Sequence, residues 1–176
     1  MRPERFLVLL AMVLMLVPLP DNTGHVAVAS PGARNESYQT LAIIVNRSNP
    51  IENLSSGDLR KIFLGERVRW PNGHRVAVTM LDPGFPEREA ILRDVYHMSE
   101  STYQDQILKK TYTGELAAPP KTLSSPEVLR KFVFNAPGAI GYLRFSDVDA
   151  SVKVIAIDGH LPDHPEYKLK IGGAAK

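Results

Sequence analysis

The 176-residue chain has no cysteine, so disulfides and thiolate metal sites are excluded and packing alone must hold the fold. It also lacks an excess of charge: 21 basic and 19 acidic residues leave a net +2, and no block of like charges stands anywhere along the chain. That balance gives no electrostatic footprint for nucleic acid, which is not an expected partner. A G-x-S-x-G elbow, a P-loop and a dinucleotide fingerprint are all missing. No catalytic residue, cofactor or enzymatic activity is therefore expected. His160, Asp163 and His164 cluster in a proline-containing loop, but they are expected as solvated surface residues and no metal site is assigned. What remains is ordinary globular material, 44% hydrophobic and 23% charged, and about one domain long.

Long apolar runs are scarce too. The run Phe6 to Val17 is 12 residues, short of the roughly 20 needed to span a bilayer. Arg2 and Arg5 precede it, Pro18 and Pro20 break it, and Ala27-Val28-Ala29 supplies a small-x-small cleavage pattern. Residues 1–29 read as a secretory signal peptide, with an uncleaved anchor as the other reading. No membrane span is expected once the peptide is cut. A polar leader is expected over 30–39, a folded lobe over 40–158 and a loose tail over 159–176.

The organising stretch is Leu54 to Gly65. Ser55 can cap a helix, Asp58 stands where it could reach back, and Leu54 and Leu59 are placed for a hydrophobic staple. Leu59, Ile62 and Phe63 repeat at i, i+3 and i+4, which makes one face apolar, and Gly65 ends the helix. The apolar runs 40–46 and 75–81 on either side predict strands, and strand-helix-strand predicts a right-handed parallel crossover. Trp70-Pro71-Asn72-Gly73 is a tight turn between them.

Further helices are expected from Pro86, from Ser99 or Ser101, and from Ser124 or Ser125. Their inward residues are Ile91, Leu92, Val95 and Tyr96; Tyr103, Ile107 and Leu108; and Val128, Leu129, Phe132 and Val133. Residues 115–123 read as an extended connection, 139–143 as a short strand and 152–157 as the last one. The alternation gives an α/β fold, a small and largely parallel sheet with helices on both faces.

The succession LAIIVNRSNPIENLSSGDLRKIFLGERVRWPNGHRVAV, then VYHMSES, TYTGELAAPP and NAPGAIGYL, resembles the second lobe of phosphate-type substrate-binding proteins of ABC transporters. It is still more similar to the short, single-lobe periplasmic proteins related to them. The resemblance covers about residues 40 to 158. It implies a three-layer periplasmic-binding-protein-like lobe, a periplasmic location, a non-enzymatic binding role and a small anion such as phosphate as ligand. With one lobe only, weak or absent binding of phosphate is implied. Recognition of another envelope protein is the alternative.

The residues suggest where an anion would sit. Asp82-Pro83-Gly84-Phe85-Pro86 joins a strand to a helix, and a helix N-terminus at a strand's carboxyl end presents free N–H groups. Gly84, Phe85 and Arg88 are the candidates there, and Arg47 is a second cation expected at the same edge. Arg88 is expected on an exposed first turn. Against this, Glu87 and Glu89 bring negative charge, and the Ser-Gly-Thr run of the phosphate-type proteins is missing. Phe85 stands where the short relatives carry serine. Ordinary helix capping at this turn, and a solvated turn role for Arg47, are the other readings. Trp70 and Tyr142 are expected as packing aromatics.

Overall fold

The computed structural model describes residues 39–116 and 118–172; the expected signal peptide and nearly all of the expected leader lie outside them. The apolar run Leu41–Val45 forms β1 (Gln39–Val45), fully buried on both faces from Leu41 onward. β2 (Asn53–Leu54) leads into α1 (Ser56–Phe63), which begins as its sequence dictates: the Ser55 hydroxyl accepts from the Asp58 N–H at 3.0 Å. The Asp58 carboxylate accepts in turn from the Ser55 hydroxyl, at 2.9 Å. Leu59, Ile62 and Phe63 are buried, and Gly65, at φ +77°, ends the helix where only glycine is unstrained.

The hairpin around Trp70 is a tight turn closed by Gly73 N–H donating to Trp70 O at 2.9 Å, with Gly73 in the left-handed region. Gly73, and not Asn72, takes the positive φ of the turn, while the Asn72 side chain accepts from the His74 N–H. Trp70 is buried and its indole N–H donates to Gly138 O at 2.9 Å, which pins the hairpin to the core.

β3 (Ala77–Leu81) is followed by α2 (Pro86–Ile91), which runs on through a π-helical turn, Leu92–Tyr96. His97, at φ +56°, stops it, and Arg60 of α1 donates to the terminal carbonyls of Val95 and Tyr96 at 3.0 and 2.7 Å. α3 (Glu100–Tyr112) is capped by Ser99 and α4 (Pro126–Asn135) by Ser125. β5 (Ala139–Arg144) completes the centre of the sheet.

Two short strands, β4 (Lys121–Leu123) and β6 (Lys153–Val154), form its edges, and the strand order is β4-β3-β5-β1-β6. β3 pairs in parallel with β4 and β5, whereas β1 is antiparallel to β5 and β6. The α/β lobe is as expected, but the sheet is mixed rather than largely parallel, and the crossover from β1 to β3 does not exist. β5 lies between them and β1 runs the other way. A strand buried on both faces carries no directional signal in its pattern, so the sequence could not choose.

Helices cover both faces. Gly141 sits under α4, where a Cβ would run into Thr79 and Leu129, while the neighbouring Arg144 turns to Glu87 of α2 on the opposite face. The glycines of the PGAIGY segment are thus close-approach positions: a Cβ on Gly138 would meet the Arg75 carbonyl.

Several expectations fail in detail. The extended connection holds a strand, β4, paired in register with Thr79–Leu81. Leu108 is 65% exposed and Val128 42%, so neither faces inward. The final strand is split: β6 pairs with β1, and β7 (Ala156–Ile157) pairs in parallel with β2. The segment after Asp158 is not loose. Tyr167, Leu169 and Ile171 are buried, Leu41 N–H donates to Leu169 O at 3.0 Å, and β8 (Lys170–Ile171) pairs with Gln39–Thr40. Alternate apolar residues in a segment so rich in Pro and charge are too sparse to read as a strand.

Candidate anion-binding site

At the carboxyl end of β3 the chain turns through Pro83 and Gly84, the latter at φ +97° with open space on its Cβ side. Phe85 is the N-cap of α2 and offers no side-chain acceptor, and Pro86 opens the helix. Among the described residues no protein acceptor meets the N–H of Gly84 or Glu87. A helix start at a parallel strand's carboxyl end, with backbone donors left unanswered, can receive a small oxyanion.

The side chains work against a strong site. Arg88 is buried, not exposed as expected, because its guanidinium turns back beneath the turn. Nε and Nη2 donate to the two Glu100 oxygens, each at 2.7 Å, and Nη1 donates to Leu81 O at 2.6 Å. Its carbon centre lies 5.1 Å from the Tyr103 ring centroid, a cation–π placement. Burial opposes the Arg88 charge, but the Glu100 hydrogen bonds and charge outweigh it, so its pKa rises above the ordinary value. The same hydrogen bonds, against a smaller opposing burial, hold the Glu100 carboxyl below the usual carboxylate range.

Glu87 does not face the turn. It is buried and ion-paired with Arg144, with one carboxylate oxygen left unpartnered. Glu89 remains exposed. Arg130, in the second turn of α4, is engaged with Asp149 at 3.0 Å. Sequence reasoning missed Glu100 and Arg144. Glu100 reads simply as a first-turn acid of α3, and nothing local marks either as the partner of a residue on α2.

Arg47 is not at this edge. Val45 pairs with Ile140, and Ile140 with Val78, so the end of β1 lies level with the start of β3. Two residues onward from Val45 and three onward from Val78 lead in opposite directions, which separates Arg47 from the end of β3 by roughly 15 Å. Arg47 instead donates to Ala150 O at 2.6 Å. The structure therefore groups Gly84, Phe85 and Arg88 and leaves Arg47 apart.

In the loop near the C-terminus, the His160 and His164 rings stack at 4.4 Å, and Glu166 joins them, its carboxylate 3.3 Å from His160 Nε2. Ligand atoms of these three residues lie within 4.8 Å of one another; Asp163 is not part of the group. Trp70 and Tyr142 are buried, as expected of packing aromatics, and Tyr142 Oη accepts from Leu81 N–H at 2.9 Å.

The mixed sheet, the helices on both faces and the strand-to-helix turn at Gly84 define an α/β lobe of the periplasmic-binding-protein type. Comparison with known proteins agrees. Over 124 residues the chain is 28% identical to the phosphate-binding protein PstS of Bacillus subtilis (strain 168), covering 70% of this chain and 37% of that one. An ABC-type phosphate transport receptor from Vibrio cholerae superposes with a TM-score of 0.57 at 21% identity, covering 71% of this chain and 49% of the other. PstS from Borrelia burgdorferi gives 0.60 at 15% identity, covering 76% and 55%. No family model matches the chain. The chain is similar to phosphate ABC transporter substrate-binding proteins over part of their length, spanning about half of the solved ones and less of the curated one.

Proposed function

We propose that this is a secreted, non-enzymatic binding protein that recognises a small oxyanion weakly at the turn joining β3 to α2. One observation carries the reading: the N–H groups of Gly84 and Glu87 have no protein acceptor among the described residues, at a helix start with no side-chain cap. Backbone donors and the helix dipole favour negative charge there. Affinity is weak because Arg88, Arg144 and Arg130 are already engaged by Glu100, Glu87 and Asp149. The relatives named for phosphate support this choice of anion. Secretion rests on the N-terminal run and its Ala27-Val28-Ala29 pattern.

Calorimetry of the chain with phosphate, sulfate and small carboxylates tests the reading. Dissociation constants in roughly the millimolar range are expected, a few kcal/mol of binding free energy. No heat of binding with any of them would sink it. N-terminal sequencing of the protein recovered from cells checks the cut near Ala29.

A second reading, a module that docks on another envelope protein, has one observation in its favour. Leu108 and Tyr112 of α3 are 65% and 91% exposed. Crosslinking in cells from a photoreactive residue at Tyr112 would defeat it if the chain were recovered only as itself.

A further inference from the structure

A groove of about 320 Å³ opens at the amino end of β3, between the Trp70 hairpin, the end of α1 and α4. Its walls are Ile62, Phe63, Val76, Val78, Leu116 and Phe132. Its polar side chains are Arg67, Arg75 and Lys121, and among the described residues no carboxylate lines it. Arg67 and Arg75 make no side-chain ion pair or hydrogen bond among the described residues. Lys121 meets the Phe132 ring, its ammonium 4.8 Å from the centroid.

The arrangement of the cations adds a second, independent sign. Arg67 and Arg75 stand on the two arms of one hairpin, and Arg75 lies directly opposite a third cation, Arg69. Like charges directly opposite across paired strands are destabilising unless something answers them. Arg69 donates to Gly73 O at 2.9 Å, which orients it without neutralising it. The hairpin backbone that carries them is anchored through the Trp70 indole on Gly138 O and by Val76 N–H on Val68 O at 3.0 Å.

We infer that this groove binds an amphipathic anion, an alkyl carboxylate of medium chain length, with its chain against Phe63, Val78 and Phe132 and its head met by Arg67 and Arg75. The volume lies at the lower end of small-molecule pockets, which suits a chain of this size. Apolar walls with a few polar groups make a binding site, and here the charged side chains on the lining are all cationic among the described residues. A bare inorganic anion would leave the walls unused. The site is separate from the Gly84 turn, since Ala77 and Leu81 are opposite ends of β3, and it does not rest on the function proposed there.

Octanoate, 1-octanol and inorganic phosphate, titrated into the full chain by calorimetry, test the inference. Octanoate should saturate with one molecule per chain, and 1-octanol, lacking the charge, should bind roughly tenfold more weakly or not at all. Arg67→Ala and Arg75→Ala should each weaken octanoate about five- to tenfold, with unchanged urea midpoints and unchanged phosphate binding. Failure of octanoate to saturate, equal affinity for octanoate and 1-octanol, or indifference to both substitutions would each overturn the site. Phosphate binding lost with Arg75→Ala would also overturn it, by showing a simple anion site at the hairpin. A loss of phosphate binding confined to changes at Gly84 speaks to the turn alone.

Discussion

Arg88 and Glu100 face each other through two parallel N–H···O contacts of 2.7 Å, and this pair fastens the start of α2 to the start of α3. Arg88 is nearly wholly buried, while about a third of the Glu100 side chain reaches solvent. Arg88→Ala removes three hydrogen bonds and leaves Leu81 O and Glu100 without their donor. A loss of roughly 2 to 4 kcal/mol is expected, moderated by the water that can reach Glu100. Urea titration measures it, and a loss under about 0.5 kcal/mol, normal for a surface change, would contradict the buried placement. The double change Arg88→Met with Glu100→Leu should be less damaging than the two single losses summed, since neither charge is left behind.

The same pair sets a pH dependence. The folded Glu100 carboxyl is held below its unfolded value by the Arg88 hydrogen bonds. A depressed carboxyl contributes stability that is present above the unfolded value of about 4.3 and lost as pH falls through the lower folded value. Stability of the parent should therefore fall on acidification below about pH 5, and Glu100→Gln should flatten part of that fall. Asp158, lowered by its hydrogen bonds from Ser56, leaves a residual slope in the variant. Identical slopes in parent and variant would remove Glu100 from the account.

Phe63→Ala tests the packing of α1. The ring is 1% exposed, stands edge-on to Tyr96 at 5.8 Å and 82°, and its carbonyl accepts the Tyr96 hydroxyl at 2.9 Å. Truncation should cost about 3 to 5 kcal/mol, close to the whole stability of a marginal domain. A urea midpoint equal to the parent's would mean the helix does not pack on this core.

Leu169→Ala tests the C-terminal segment. Leu169 is 6% exposed and follows buried Tyr167 on a stretch that hydrogen-bonds β1. About 2 to 4 kcal/mol should be lost, and a chain ending at Glu166 should not unfold cooperatively, because β1 then loses the strand that covers its beginning. Cooperative unfolding of that shorter chain at the parent's midpoint would return the segment to the status of a loose tail.

Part of the candidate site is legible in the local pattern of residues. The strand-to-helix turn, Gly84 and Pro86 are local features, and they stand where that pattern puts them. The fate of Arg88 is not legible there, since its partners Glu100 and Leu81 O are brought to it by α3 and by the end of β3. Arg47 misleads for a topological reason. Its expected place follows from a parallel β1, and reversing that one strand moves it to the other end of the sheet.

By itself the sequence determined the elements whose causes are local. Ser55 caps α1 because a hydroxyl needs only the N–H three residues on, and Gly65 ends that helix at positive φ; for α3 and α4 the sequence offered Ser99 or Ser101 and Ser124 or Ser125, of which Ser99 and Ser125 cap. The buried face of Leu59, Ile62 and Phe63 follows from the helical period. Tertiary structure decided what depends on distant partners: that Leu41 pairs with Arg144, that Lys121–Leu123 becomes an edge strand, that Leu169 returns to cover β1, and that the Glu87 carboxylate belongs to Arg144. Strand pairing and ion pairing give up their free energy only when chain segments far apart in sequence meet, so neither leaves a mark in the local pattern of either segment.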